Sequence, residues 1–309
     1  MENKEDKKIL VTHNSSFHSD DLFACATLSL LLEKRKQQFE IIRSRDKGII
    51  ESADYVFDVG GIYDPEKNRF DHHQPGGAGK RENGIEYASF GLVWKHVGME
   101  LCSDNQDVWN MIDSKIASPI DAIDNGIDII SSKFEGIVPY GGDQPFLIFS
   151  PTWQEDESNI DDIFRGLVLN LTKIIKREIE VATADVLGKK LIESAYSESE
   201  NKQIIVLETS YPRYLYQSKL CEFSEPIYVI YPSSKKDNWK IEAIRKSHGT
   251  MESRKLFPQN WRECFDDSSK LAETTGVNDA LFCHRSGFLM TVTSKEGAMK
   301  LAQLALENN

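Results

Sequence analysis

The chain has 309 residues, a formal net charge of −12, 40% hydrophobic residues and 28% charged ones. That balance excludes global disorder, and the negative total excludes a protein that coats nucleic acid with its whole surface. No run approaches the roughly 20 consecutive apolar residues of a membrane span, and the length makes two domains the natural expectation.

The charged opening "MENKEDKKIL" leads straight into a strand-like run. It argues against a signal or transit peptide and for a cytoplasmic location. "KILVTHN" reads as a buried strand closing near Thr12, and "DDLFACATLSLLLEKRK" as a helix opened by acidic residues. "FEIIRSR", "YVFDVGG" and "NRFDHH" read as three more strands. Strand, helix, strand in this order predicts parallel βαβ units in a doubly wound, mostly parallel sheet. In such sheets ligands gather beyond the carboxyl ends of the strands. Helical patterns follow in "YASFGLVWKHVGMEL" and in "NQDVWNMIDSKIASPIDAIDNGI" as far as Gly126, and then over about 158 to 198.

From Gln203 the pattern turns strand-rich, with "IIVLE", "PIYVIYP", "WKIEAIR", "ALFCH" and "GFLMTVT". A final helix, "SKEGAMKLAQLALEN", opens on a serine cap. The expected organisation is therefore a catalytic α/β domain over 1–155, a helical connector over 156–202, and a smaller α+β domain over 203–309. Cys25, Cys102, Cys221, Cys264 and Cys283 are odd in number, dispersed and never spaced as CxxC. Reduced thiols are expected, and a thiolate zinc site is not.

The chemistry concentrates in "DHHQPGG" and the segments that share its sheet edge. Four of the seven histidines are His13, His18, His72 and His73. Asp20, Asp58 and Asp71 stand near them, with Asp121 and Asp124 farther on in "DAIDNG". Taken singly, a histidine after a strand or an Asn-Gly turn is an ordinary polar feature. Three segments that each end a strand in a ligand-type residue, on one edge of one sheet, point instead to metal. Imidazoles and carboxylates without thiolates suit Mn²⁺, Mg²⁺, Co²⁺ or a catalytic Zn²⁺ better than a closed structural zinc site, and Mn²⁺ is the ion expected. The donors exceed what one ion uses, and two ions about 4 Å apart with a bridging carboxylate would absorb them.

"THNSSFHSDD", "FDVGG", "DHH" and "DAIDNG" follow the order and approximate spacing of the DHH phosphoesterase superfamily. The chain resembles most closely, over nearly its full length, the exonuclease family named after a melanocyte-proliferation gene. "WKIEAIRKSHGTMESRKLFPQNWR" and "ALFCHRSGF" are similar to that family's carboxyl-terminal signature. The resemblance implies that His13 and His18 hold one ion and Asp20 the other, that Asp58 bridges both, and that His72 completes the second with Asp124. Asp121, one helical turn before Asp124, is within reach of the same site. Asp71 would orient an imidazole, and His73 would meet a phosphate oxygen or the leaving group. The smaller domain would be of the DHH-associated type, with Arg254, Lys255, His284, Arg285 and Gly287 as substrate contacts. Where the family carries a Gly-Gly pair after "GF", this chain has Leu289 and Met290, which would narrow the approach of a substrate.

Between Ser233 and Arg262 eight Lys or Arg face three acids (Asp237, Glu242, Glu252), a local surplus of five in an acidic chain. Trp239, Phe257 and Trp261 are interleaved with them. Phosphate contacts plus aromatic stacking suit sequence-tolerant binding of single strands; the alternative is a solvated strand face with its aromatics in the core. The leading reading, implied by the family resemblance, is a two-metal exonuclease acting from the 3′ end on single-stranded RNA or DNA. The first alternative is a phosphoesterase for short oligonucleotides, a cyclic dinucleotide or pyrophosphate; the second is a catalytically silent metal-binding protein. No membrane partner is expected, and the sequence is compatible with a homo-oligomer.

Overall fold

The structure is a computed structural model that describes residues 7–234 and 237–308. The chain divides into two compact units, Met1–Thr183 and Ala184–Asn309. Among the described residues no helix is long and apolar enough to cross a membrane.

The first unit opens with β1 (Lys8–Thr12), α1 (Ser19–Lys34), β2 (Phe39–Arg43), α2 (Lys47–Ser52) and β3 (Tyr55–Phe57). β4 (Tyr63–Asp64) and β5 (Arg69–Phe70) complete a five-stranded sheet in the order β2-β1-β3-β5-β4. β2, β1, β3 and β5 run parallel, and β4 is antiparallel to β5. The strands are apolar runs because both faces of the sheet are covered. Val11 and Val56 pack with Ile49 and Ile50 of α2 on one face. α1, buried from Ser19 to Leu32, packs against α3 (Ser89–Leu101), where Phe23 meets Phe90 at 5.4 Å between ring centroids. This is the α/β class expected from the alternation, and β4 and α2 are additions that short, half-polar segments did not announce.

α4 (Gln106–Ile112) and α5 (Ser118–Asp124) fill the helical stretch expected up to Gly126. Pro119 has no N–H to continue an α-helix, and Asp113–Ala117 just before it form a wider π turn. After α6 (Gln144–Leu147) comes α7 (Ile160–Glu198), the 39-residue helix expected as a connector. Its first part is integral to the first unit: Phe164, Val168, Leu171 and Ile175 are buried at helical spacing. The unit boundary falls inside this helix, between Thr183 and Ala184.

The second unit holds β6 (Ile204–Val206), α8 (Arg213–Leu220), β7 (Tyr228–Pro232), β8 (Trp239–Ala243), α9 (Gln259–Arg262), α10 (Ser268–Thr275), β9 (Ala280–Cys283), β10 (Leu289–Val292) and α11 (Lys295–Glu307). Its mixed sheet has the order β6-β7-β8-β10-β9, with β6 and β7 parallel and the other pairs antiparallel. Side chains alternate across β7: Tyr228 and Ile230 enter the core with α11, whereas Val229 and Tyr231 pack with Leu215 and Leu220 of α8. The serine cap forms, Ser294 Oγ accepting the Gly297 N–H at 2.9 Å. The cysteines among the described residues are all free.

Candidate metal centre

β1, β3 and β5 are neighbours in the sheet, so the residues that follow them emerge side by side. His13 follows β1, Asp58 follows β3, and Asp71, His72 and His73 follow β5. Asp58 has φ 53°, in the left-handed region that a Cβ makes unfavourable. Gly60 and Gly61 carry the turn onward at φ 100° and 69°. The Gly61 N–H reaches Asp71 Oδ2 at 2.5 Å.

His13 Nε2 lies 3.1 Å from Asp58 Oδ2 and 3.4 Å from Asp21 Oδ2. His72 Nε2 lies 3.6 Å from Asp58 Oδ1 and 3.2 Å from Asp124 Oδ2. Three sets of donor atoms each fall within 4.8 Å of one another: His13, His18 and Asp58; Asp58, His72 and His73; Asp20, His72 and Asp124. Asp58 belongs to two of them, and so does His72. A cleft of about 860 Å³ opens over the cluster. Asp71 holds His73, with its Oδ1 2.7 Å from Nδ1 and accepting the His73 N–H at 3.1 Å.

Charge is strongly unbalanced here. Burial works to raise the Asp58 carboxyl, but hydrogen bonds and charge from His13 and His72 prevail and hold it well below the usual range. Asp20 is pushed far up by burial and by the charges of Asp58 and Asp124. Asp124 is raised by burial and by Asp58. Burial lowers His13 and His72, yet their carboxylate partners carry both above the ordinary imidazole value. Carboxylates this crowded favour protons or cations between them. Asp58 Oδ1 and His72 Nε2 are buried without a well-formed hydrogen bond, His72 Nε2 standing 3.2 Å from Asp124 Oδ2 and 3.6 Å from Asp58 Oδ1, a condition that folded proteins rarely leave unanswered.

Asp121 lies outside all three sets. Its carboxylate is paired with Arg81 and accepts the Gly91 N–H at 2.9 Å, tying α5 to α3. Burial pushes Asp121 up to about 7 against the pull of Arg81. Asp20 also accepts from the start of α3, from Ser89 N at 3.0 Å and Phe90 N at 2.7 Å. Sequence reasoning passed over Asp21 as an ordinary acidic residue at a helix start. Its Oδ1 accepts the His18 N–H at 2.8 Å, half of a capping box, and its buried Oδ2 turns toward His13. Arg45, Asn125 and Asp143 also line the cleft. Nothing local in the sequence marked Asp143, which reaches the site by accepting from Ser19 N at 2.8 Å.

The expected substrate contacts of the second half fare differently. Arg254 donates to the carbonyls of Pro226, Cys221 and Phe223 at 2.8, 3.0 and 2.5 Å, and Lys255 to that of Leu306 at 2.7 Å. Both groups bind their own unit's backbone. His284 Nδ1 accepts the Ser286 N–H at 3.1 Å, and Arg285 lies over the Phe265 ring at 3.6 Å. Gly287, at φ 69°, closes the turn between β9 and β10. Phe257 and Trp261 are buried in the core and offer no face for stacking; Trp239 is partly buried against the same core. Lys235 and Lys236, which contributed to the basic surplus, lie outside the described residues. Met290 is fully buried and Leu289 half-buried.

An α/β sheet with imidazoles and carboxylates gathered at its carboxyl edge defines a protein with a candidate metal centre of the histidine–carboxylate class. The chain belongs to the MYG1_exonuc family, described as Uncharacterised protein family (UPF0160), whose pattern matches residues 9–306. This is the family its four ordered segments resemble. The chain is 28% identical over 331 residues to MYG1 protein C27H6.8 of Caenorhabditis elegans, covering 97% of this chain and 95% of that one. It is 29% identical over 328 residues to MYG1 exonuclease of Homo sapiens, covering 96% and 85%. Among solved structures, RecJ in complex with Mn²⁺ from Thermus thermophilus aligns with 8% identity over 99% of this chain and 53% of that one. The TM-score of 0.30 is too low for that overlap to carry weight.

Proposed function

We propose that this chain is a divalent-metal-dependent phosphodiester hydrolase, an exonuclease that shortens single-stranded RNA or DNA from the 3′ end. The observation that carries this reading is the position of Asp58, whose Oδ2 lies 3.1 Å from His13 Nε2 of one ligand set and whose Oδ1 lies 3.6 Å from His72 Nε2 of another. The relatives named MYG1 exonuclease support it. His13, His18 and Asp58 would hold one cation; Asp20, His72 and Asp124, again with Asp58, would hold a second. A donor set of imidazoles and carboxylates accommodates Mn²⁺, Mg²⁺, Co²⁺ or Zn²⁺, and Mn²⁺ is the occupant proposed. When bound, such a pair supplies an acidified water and neutralises charge on the leaving oxygen.

The chain's own residues do the rest. The Asp71 carboxylate, pinned by the Gly61 N–H, holds Nδ1 of His73 and leaves Nε2 as the atom that gives or takes a proton. His73 is 63% exposed and borders the cleft, so a substrate oxygen can meet it. Residues 203–309 would contribute substrate binding rather than chemistry.

The test is cleavage of a labelled 20-mer against a dinucleotide, with Mn²⁺ present and with the label at either end. Stepwise loss from the 3′ end of the 20-mer is expected. Faster turnover of the dinucleotide would favour a small-substrate phosphoesterase. Absence of any phosphoester cleavage, unchanged in Asp58→Ala, would leave only a metal-binding protein.

A further inference from the structure

We infer that the second unit contains a separate binding pocket for the phosphate of a nucleotide, built around Arg213 and Lys240. Glu242, the fourth residue of β8, is 2% exposed, a position where a lone carboxylate is strongly unfavourable. It is answered on all sides. Arg213 Nε and Gln217 Nε2 donate to its Oε1 at 2.5 and 2.8 Å. The hydroxyls of Tyr216 and Tyr231 donate to its Oε2 at 2.8 and 3.2 Å.

A satisfied core network would explain Glu242 by itself, but it does not explain what surrounds it. Arg213, Tyr216, Tyr231 and Glu242 border a cavity of about 350 Å³, together with Lys240, Tyr211 and Phe288. Glu242 grips Arg213 through Nε, and the Phe288 ring lies 4.9 Å beneath the guanidinium. A guanidinium held from behind in this way keeps its two terminal nitrogens for a forked contact, and that geometry matches phosphate. Its side chain is 40% exposed, so the fork is accessible. Lys240 faces Tyr231 across the β7–β8 pair and adds a second cation. Glu242 neutralises one of the two, which leaves one positive charge over the pocket in a chain of net −12. Aromatic walls beside paired cations suit a flat ring joined to a phosphate. The volume is at the small end of ligand pockets, adequate for one nucleotide and not for a longer strand.

The anion site stands on this geometry alone; the choice of a nucleotide among phosphate esters rests on the hydrolase reading above. The ligand is either a free mononucleotide or the phosphorylated end of a chain. Calorimetry with the full-length protein in EDTA would use adenosine 5′-monophosphate, inorganic phosphate, adenosine and a 5′-phosphorylated trinucleotide. The mononucleotide should bind at least tenfold more tightly than phosphate or adenosine, and equally well in Asp58→Ala. Stronger binding of the trinucleotide assigns the pocket to a chain end; stronger binding of the mononucleotide assigns it to a free product or effector. Arg213→Ala should lose tenfold or more, Arg213→Lys should not restore it, and Lys240→Ala, at the partly exposed rim, should weaken it three- to tenfold in a protein with unchanged melting. Equal binding of phosphate and mononucleotide would overturn the nucleotide assignment. Undiminished binding in both Arg213→Ala and Lys240→Ala would overturn the pocket, while dependence on added Mn²⁺ would return the ligand to the metal centre.

Discussion

Nδ1 of His73 lies 2.7 Å from Oδ1 of Asp71, yet 63% of the His73 side chain is open to solvent. An imidazole gripped at one nitrogen and free at the other is arranged to handle a proton, and its loss should not empty the centre. His73→Ala is therefore expected to keep bound Mn²⁺ within a few-fold of the parent while turnover falls by about 10²–10⁴, the range for a general acid–base group. Calorimetric metal titration beside a rate assay checks both. Metal affinity collapsing in step with rate would make His73 a ligand instead.

Asp58 is expected to behave oppositely. Its two oxygens face histidines of two different ligand sets, so Asp58→Ala should lose most bound metal and all measurable cleavage. Elemental analysis of the purified variant is the direct measurement.

Stability without metal should fall as pH rises. Burial lifts Asp21 to about 7 from an ordinary carboxyl value, so the folded state holds that proton more tightly than the unfolded chain does. Such a group stabilises fully below about pH 4 and loses its contribution as pH climbs to about 7. The raised values of Asp20, Asp124, His13 and His72 act in the same direction. Asp58, held low, contributes stability that is lost only in strong acid, outside this window. Urea melts in EDTA at pH 5.5, 7 and 8 should show decreasing midpoints, and Mn²⁺ should flatten the trend.

Arg81 pairs with the buried carboxylate of Asp121 and also binds Asp113 at 2.9 Å. Arg81→Ala takes that cation from Asp121 and should cost about 3–5 kcal/mol. The loss should be larger at pH 8 than at pH 6, because burial already pushes Asp121 up to about 7. Retained Mn²⁺ affinity at pH 6 would separate this structural role from ligation.

Arg254→Ala should act on folding of the second unit. Three carbonyls lose a charged donor, and hydrogen bonds to charged groups contribute about 1.5–3 kcal/mol each. A lower urea midpoint with unchanged KM below the melting range is expected. A raised KM at full stability would reinstate Arg254 as a substrate contact.

The sheet and the cluster were legible because each depends on a short-range signal. Apolar runs ending in His13, Asp58 and Asp71 fix both the strands and the edge where their successors meet. Asp21 was hidden by its neighbour Asp20, since consecutive acids at a helix start look alike until the helix turns them in different directions. Asp121 and Arg254 raise a different difficulty. Charge in a sequence does not say whether its partner is a ligand, a salt-bridge mate or a row of carbonyls, and both found partners far along the chain. Phe257 and Trp261 show the same limit, because an aromatic between basic residues reads identically whether it points outward or into the core.

The φ of 53° at Asp58 gives this position two unrelated gatekeepers. Its backbone is comfortable only for glycine, asparagine or aspartate, and of those three only aspartate brings two anionic oxygens. Asn at 58 keeps the shape and alters the charge; Ala alters the charge and bends the chain against its preference as well. Asn against the parent would therefore report the charge, and Ala against Asn the conformation, at a residue where the fold and the site each make a demand.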